Sequence, residues 1–139
     1  MIGLDTNVLV RYIARAGKIE RALQLADEAV TEVDRTGERW WEAEALRSRA
    51  DILLMASPGN HAEAERCFAD AFACARRQGA RLWELRAACS LAHLWLAQDR
   101  QSEARELLSP VCASFADGFE IADLEHARDL LGQLARPAR

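Results

Sequence analysis

Apolar residues recur along most of the chain at steps of three and four, the period of a helix with one buried face. Leu23, Ala26, Ala29, Val30 and Val33 form one such stripe, and Ala64, Phe68, Ala71, Phe72 and Ala75 form another. Reading the stripes with their breakers gives seven helices, at about 6–16, 19–36, 40–56, 61–78, 81–98, 101–116 and 120–135. Gly17, Gly37, Gly79 and Gly118 stand where helices should end, and Ser57-Pro58-Gly59-Asn60 is the clearest loop. Connections this short pack successive helices as antiparallel neighbours.

The stripes also repeat. Gly37-Glu38-Arg39-Trp40-Trp41-Glu42 recurs as Gly79-Ala80-Arg81-Leu82-Trp83-Glu84, 42 positions on, where Ala22 meets Ala64 and Ala29 meets Ala71. A third copy follows at a step of 40, matching Ala64, Phe68 and Ala71 to Ala104, Leu108 and Val111, and Gly79 matches Gly118 at 39. Leu9, Ile13 and Ala22 match Leu91, Trp95 and Ala104 at 82, so the N-terminal end joins the pattern. Small residues recurring at fixed places mark close helix crossings, and recurring aromatics mark gaps to be filled. The expectation is an all-α, right-handed helical-hairpin solenoid of about seven antiparallel helices, forming one domain over 1–139. Within it, 1–16 is an atypical first helix, 17–135 the repeats and 136–139 a tail.

Composition agrees. The chain has 27 Ala and 18 Leu but only 13 Val, Ile and Thr together, and 10 Gly and Pro. Strong helix formers in excess, with few β-branched and turn residues, exclude sandwiches, barrels and disulfide-stapled miniproteins. The net charge of −4 gives no reason to expect nucleic acid as a partner. Seventeen of the 18 basic residues are Arg, which reads as a GC-rich coding bias. The longest largely apolar stretch, Ala87 to Ala97, is far below the ~20 residues of a membrane span. With no secretory-type opening, a cytoplasmic protein with buried, reduced Cys67, Cys74, Cys89 and Cys112 is expected.

The motif Ala22/Ala26/Ala29, Ala64/Phe68/Ala71 and Ala104/Leu108/Val111 resembles the second-helix signature of tetratricopeptide repeats. The first helices carry Leu91, Ala92 and Trp95 in fitting places, but the Trp-Leu-Gly-Tyr pattern is incomplete and the period exceeds the family's 34. Over roughly 15–135, Gly37 to Glu44, Ala64-Glu65-Arg66-Cys67-Phe68, Arg77-Gln78-Gly79-Ala80, Trp83-Glu84-Leu85-Arg86 and Gly118-Phe119 with Ala122-Asp123-Leu124 resemble a further group. This is the C-terminal tetratricopeptide region of large bacterial proteins with a predicted ATPase module, often joined to a cyclase or transcriptional-regulator module. The resemblance implies a detached regulatory or sensor segment in bacterial signalling. The sole lysine, Lys18, belongs to no phosphate-binding loop.

Met1 to Ile13 is similar to the opening of PIN-domain ribonuclease toxins, where the aspartate corresponding to Asp5 helps hold a divalent metal. That resemblance implies a metal-dependent ribonuclease as an alternative. A single carboxylate holds no catalytic Mg²⁺ alone, so Asp5 is expected to be a helix N-cap. Cys89 and His93 share a helix face at a spacing compatible with two metal ligands. His61 and His126 supply no partner at matching spacing, so a buried thiol beside a groove histidine is expected, with no metal and no cofactor. Trp41 and Trp83 read as inter-repeat packing, and Trp40 and Trp95 as core.

In the tetratricopeptide register, the first helix of each pair lines a concave surface presenting Asn7 and Arg11, then Glu44, Arg47 and Asp51, then Arg86, Cys89 and His93. Arg11, Arg47 and Arg86 could receive an acidic peptide, or Glu44 and Asp51 could neutralise Arg47. The function expected is a non-catalytic scaffold binding a protein or peptide in that groove. A helical domain closing on a small metabolite is a further alternative, and self-association through the short first helix is also expected.

Overall fold

The apolar stripes of Leu23 to Val33 and Ala64 to Ala75 both lie on helices. In a computed structural model that describes residues 11–37, 41–115 and 121–135, every regular element is helical and no strand occurs among the described residues. Helix α1 is described over 11–15. There follow α2 (Ile19–Thr36), α3 (Glu42–Ala56), a 3₁₀ turn (Pro58–Asn60), α4 (His61–Gln78), α5 (Arg81–Ala97), α6 (Gln101–Ala113) and α7 (Ala122–Leu134). Asp5, Asn7, Trp40 and Gly118 lie outside the described residues. The parallel sheet that the PIN resemblance implies is not built by any described residue.

Several helix ends share one device. At the end of α4 the Gly79 amide donates to the Arg76 carbonyl and the Ala80 amide to that of Ala75, with Gly79 at φ +66°. These paired bonds satisfy carbonyls that the helix leaves open and demand a left-handed residue. The same pair closes α1 at Gly17. At the end of α5 it recurs, with Asp99 at φ +60° in the glycine's place. The sequence signals only a turn there, because Asp is tolerated rather than preferred in that conformation. Helix α6 stops at Ala113, short of the 116 expected, with Pro110 in its last turn removing one backbone donor.

The recurring small residues do sit at crossings. Ala22, Ala64 and Ala104 have no exposed surface, and Phe68 and Leu108 beside them are equally buried. Trp41 and Trp83 join one cluster with Ala29, Val33 and Ala45, so the aromatics that recur at 42 do pack together. Trp95 is half-buried between two clusters and donates its indole N–H to Glu65, 2.7 Å away.

Each helix packs on its neighbours in chain order, and α3 also touches α5, and α5 touches α7. Neighbours are antiparallel: Asn60 reaches Leu53, Arg49 reaches Cys67, and Glu42 lies by Cys74 along the α3–α4 pair. Next-but-one helices run the same way, since Arg86 meets Asp123 and His93 meets His126. The odd helices α3 and α5 are therefore covered on more than one side. Their buried residues, Ala43, Glu44, Ala45, Ser48, Ala50, Ile52 and Leu53 on α3, then Leu85, Ala87, Ala88, Cys89, Leu91, Ala92 and Leu94 on α5, cover more than one face of each helix. The even helices bury single stripes and expose the rest.

Candidate functional site

The odd helices share a polar row, built upward from α3. Glu44 is 5% and Ser48 1% exposed, the two buried polar residues among those described. A buried carboxylate needs compensation, and Arg47 supplies it in fork geometry. Its Nε donates to Oε1 and its Nη2 to Oε2 of Glu44, both at 3.0 Å. Burial works against the Arg47 charge, but the Glu44 hydrogen bonds and charge outweigh it and hold the guanidinium pKa above its usual value. Asp51, one turn on, stands 3.9 Å from Arg47.

From α1, Arg11 reaches into the same row. Its Nε donates to Ser48 Oγ at 3.2 Å and its Nη2 lies 3.3 Å from Asp51 Oδ2. Nη2 is itself buried and finds no aligned acceptor. Burial and the neighbouring Arg47 lower the Arg11 pKa. Burial raises that of Asp51 against the pull of Arg11 and Arg47. From α5, Arg86 donates to Asp123 of α7 at 3.2 Å, and Asp123 in turn adds to the field at Arg47. Of the expected groove residues, Arg11, Glu44, Arg47, Asp51 and Arg86 therefore do gather on one face. They gather as ion pairs: each of these three arginines already faces a carboxylate of this chain.

Below this row a cleft of about 410 Å³ opens beside α3, α4 and α5. Its floor is apolar, from Leu54, Phe68, Leu94 and Ala97, and its polar lining is Asp51, Ser90, His61 and His93. This size and make-up suit a ligand or an anchoring side chain, since apolar walls supply affinity and a few polar groups fix orientation. His61 is held 3.2 Å from Gln98 at the cleft's end.

Cys89 is buried and His93, one turn on, is exposed, in keeping with the expected buried thiol beside an accessible histidine. Cys89 turns into the core, where burial pushes its thiol up to about 12. His93 meets His126 of α7, Nε2 to Nε2, at 2.9 Å. Burial and His126 lower the His93 pKa. Periodicity within one helix finds neighbours three and four apart and is blind to this contact, which spans 33 positions. All four cysteines are buried. Among the described residues no group of three or more His, Cys, Asp and Glu could hold a metal ion, and no helix is long and apolar enough to cross a membrane.

The chain matches no known family model and no curated protein.

Proposed function

We propose that this chain is a tetratricopeptide-like helical solenoid, serving as a non-catalytic module that binds a protein or peptide along the face of its odd helices. The observation that supports this reading is the cleft with an apolar floor and polar rim, set where α3 and α5 lie side by side above α4. A repeat array places its first helices along one surface, and that surface is where an extended partner gains contact from several repeats at once. The prepaired arginines change the kind of partner expected. A ligand gains little from Arg47, which Glu44 already holds, so the partner's anchor is an apolar side chain seated by Leu54, Leu94 and Ala97. Around it, donors from the partner find Asp51 and Ser90. A regulatory role in bacterial signalling belongs to this proposal through the resemblance of residues 15–135.

Panning a random peptide library against the chain tests the reading. Selected peptides should carry a large apolar anchor and should move amide resonances of α3 and α5. Ala97→Glu, an exposed substitution at the cleft, should weaken them by about tenfold, the loss of one well-seated anchor. Shifts confined to α2, α4 and α6, or metal-dependent cleavage of RNA by the purified chain, would overturn it.

A further inference from the structure

The chain has three histidines, and two of them converge from different helices. His93 on α5 and His126 on α7 are both exposed, with Nε2 atoms 2.9 Å apart, ring centroids 5.1 Å apart and ring planes inclined by 31°. We propose that this pair is a chelating site for a borderline divalent transition-metal ion, Ni²⁺ or Zn²⁺, bound through the two Nε2 atoms with water completing the coordination.

Imidazole nitrogen suits these cations, whose bonds to it are about 2.0–2.1 Å long. Two nitrogens at that distance from one ion stand about 2.9 Å apart at a right angle and about 3.3 Å apart at the tetrahedral angle. The observed 2.9 Å lies at the first value and a few tenths of an ångström from the second. The packing of α5 on α7 thus brings the two nitrogens together before any ion arrives, and rotation of the side chains aims them at it.

The rings meet edge to edge, and a hydrogen bond between their Nε2 atoms uses one N–H donor and one bare nitrogen, a single shared proton. Seating the ion turns both rings so that the lone pairs aim beside the line joining the nitrogens. The shared proton passes through solvent to Nδ1 of its own ring, and both imidazoles stay neutral.

Among the described residues no third protein ligand is in place. Asp123, one turn from His126, is engaged by Arg86, and Cys89, one turn from His93, is buried. The site is therefore a two-nitrogen clasp, open to solvent, unlike a closed structural zinc centre. It lies at the rim of the cleft that His93 also lines, but it stands whether or not that cleft binds a peptide.

Titration calorimetry of the untagged chain near neutral pH, with Ni²⁺ alone and then Zn²⁺ alone, tests the site. One ion per chain should bind. His93→Gln and His126→Gln should each weaken it by about tenfold or more, because even partners outside the coordination sphere carry tenfold effects. His61→Gln should bind as the parent does, and thermal melts of all three variants should match the parent, showing that the exposed substitutions leave the fold intact. In the NMR spectrum Zn²⁺ should shift the imidazole signals of His93 and His126 and leave that of His61 in place. Absence of binding at millimolar metal, undiminished binding by the double variant, or an equal loss in His61→Gln would overturn the proposal.

Discussion

The two ends of the chain solve the same packing problem with different materials. At the C-terminal end, α5, α6 and α7 enclose one continuous cluster in which Leu85, Leu108, Leu124, Leu130 and Leu134 are at most 1% exposed. Where α1 and α2 pack against α3 the apolar core splits into two small clusters. One holds Ala14, Ala22, Ala26 and Ile52, the other Ala29, Val33, Trp41 and Ala45. Ala buries far less apolar surface than Leu, and burial contributes about 25 cal/mol per Å². The smaller N-terminal clusters are flanked by polar contacts: Glu44 with Arg47, Arg11 with Ser48 and Asp51, and Arg49 with Asp27 and Glu63. Ion pairs with an exposed partner contribute little beyond offsetting their own desolvation. The difference teaches that a regular sequence repeat need not give uniform stability, because the repeat fixes crossings while side-chain volume fixes energy.

Matched truncations of the two cores break or support this contrast most directly. Leu108→Ala should lower the unfolding free energy by about 3 kcal/mol, as for other large-to-small core changes. Val33→Ala should lower it by about 1.5 kcal/mol, since two methyl groups at about 0.8 kcal/mol each are lost. Equal losses in denaturant titrations would erase the distinction.

Native-state hydrogen exchange reads the same contrast without mutation. Amides of α2 should exchange through openings about 2 kcal/mol or more below those of α5 to α7, because local stability follows buried apolar contact. Uniform protection across the helices would show one cooperative unit instead.

Next comes the polar row. Glu44→Ala strands Arg47, whose side chain is 14% exposed, and should cost about 2 kcal/mol. The double change Glu44→Ala with Arg47→Met should recover most of that loss, since replacing both partners leaves no buried charge without compensation. A double variant as unstable as the single one would show that the pair itself holds α3 in place.

The smallest effect concerns the one non-glycine residue at positive φ among those described. Asp99→Gly should stabilise the α5–α6 junction by about 0.5 kcal/mol, because glycine adopts φ +60° without the steric cost borne by other residues. A loss of stability would mean that the Asp99 side chain contributes more than its backbone strain costs.

Much of the architecture was legible in the sequence because it rests on local rules. The 3.6-residue stripes located α2 and α4 to the residue, since helix ends marked by glycine are sharp. The offsets of 42 and 40 identified Ala22, Ala64 and Ala104 as crossing points, and all three have no exposed surface. The expectation for α6 runs to 116, three residues past its end at Ala113, because the apolar stripe continues where no glycine marks a stop. The charged row was legible as a set of residues but not as a set of pairs. Spacing on α3 places Arg47 near both Glu44 and Asp51, and only the arrival of Arg11 from α1 divides the two carboxylates between two cations.

The sequence by itself determined that this chain is helical, where its helices turn, and which alanines meet, because hydrogen bonds within a helix and the period of its apolar face are written in neighbouring residues. Tertiary structure alone decided that Arg11 and Arg86 are answered by carboxylates of other helices, Asp51 and Asp123. It also decided that His93 meets His126. Those contacts depend on how far one helix slides and rotates against another, a quantity set by the summed volume of side chains packed between them, which no local pattern records.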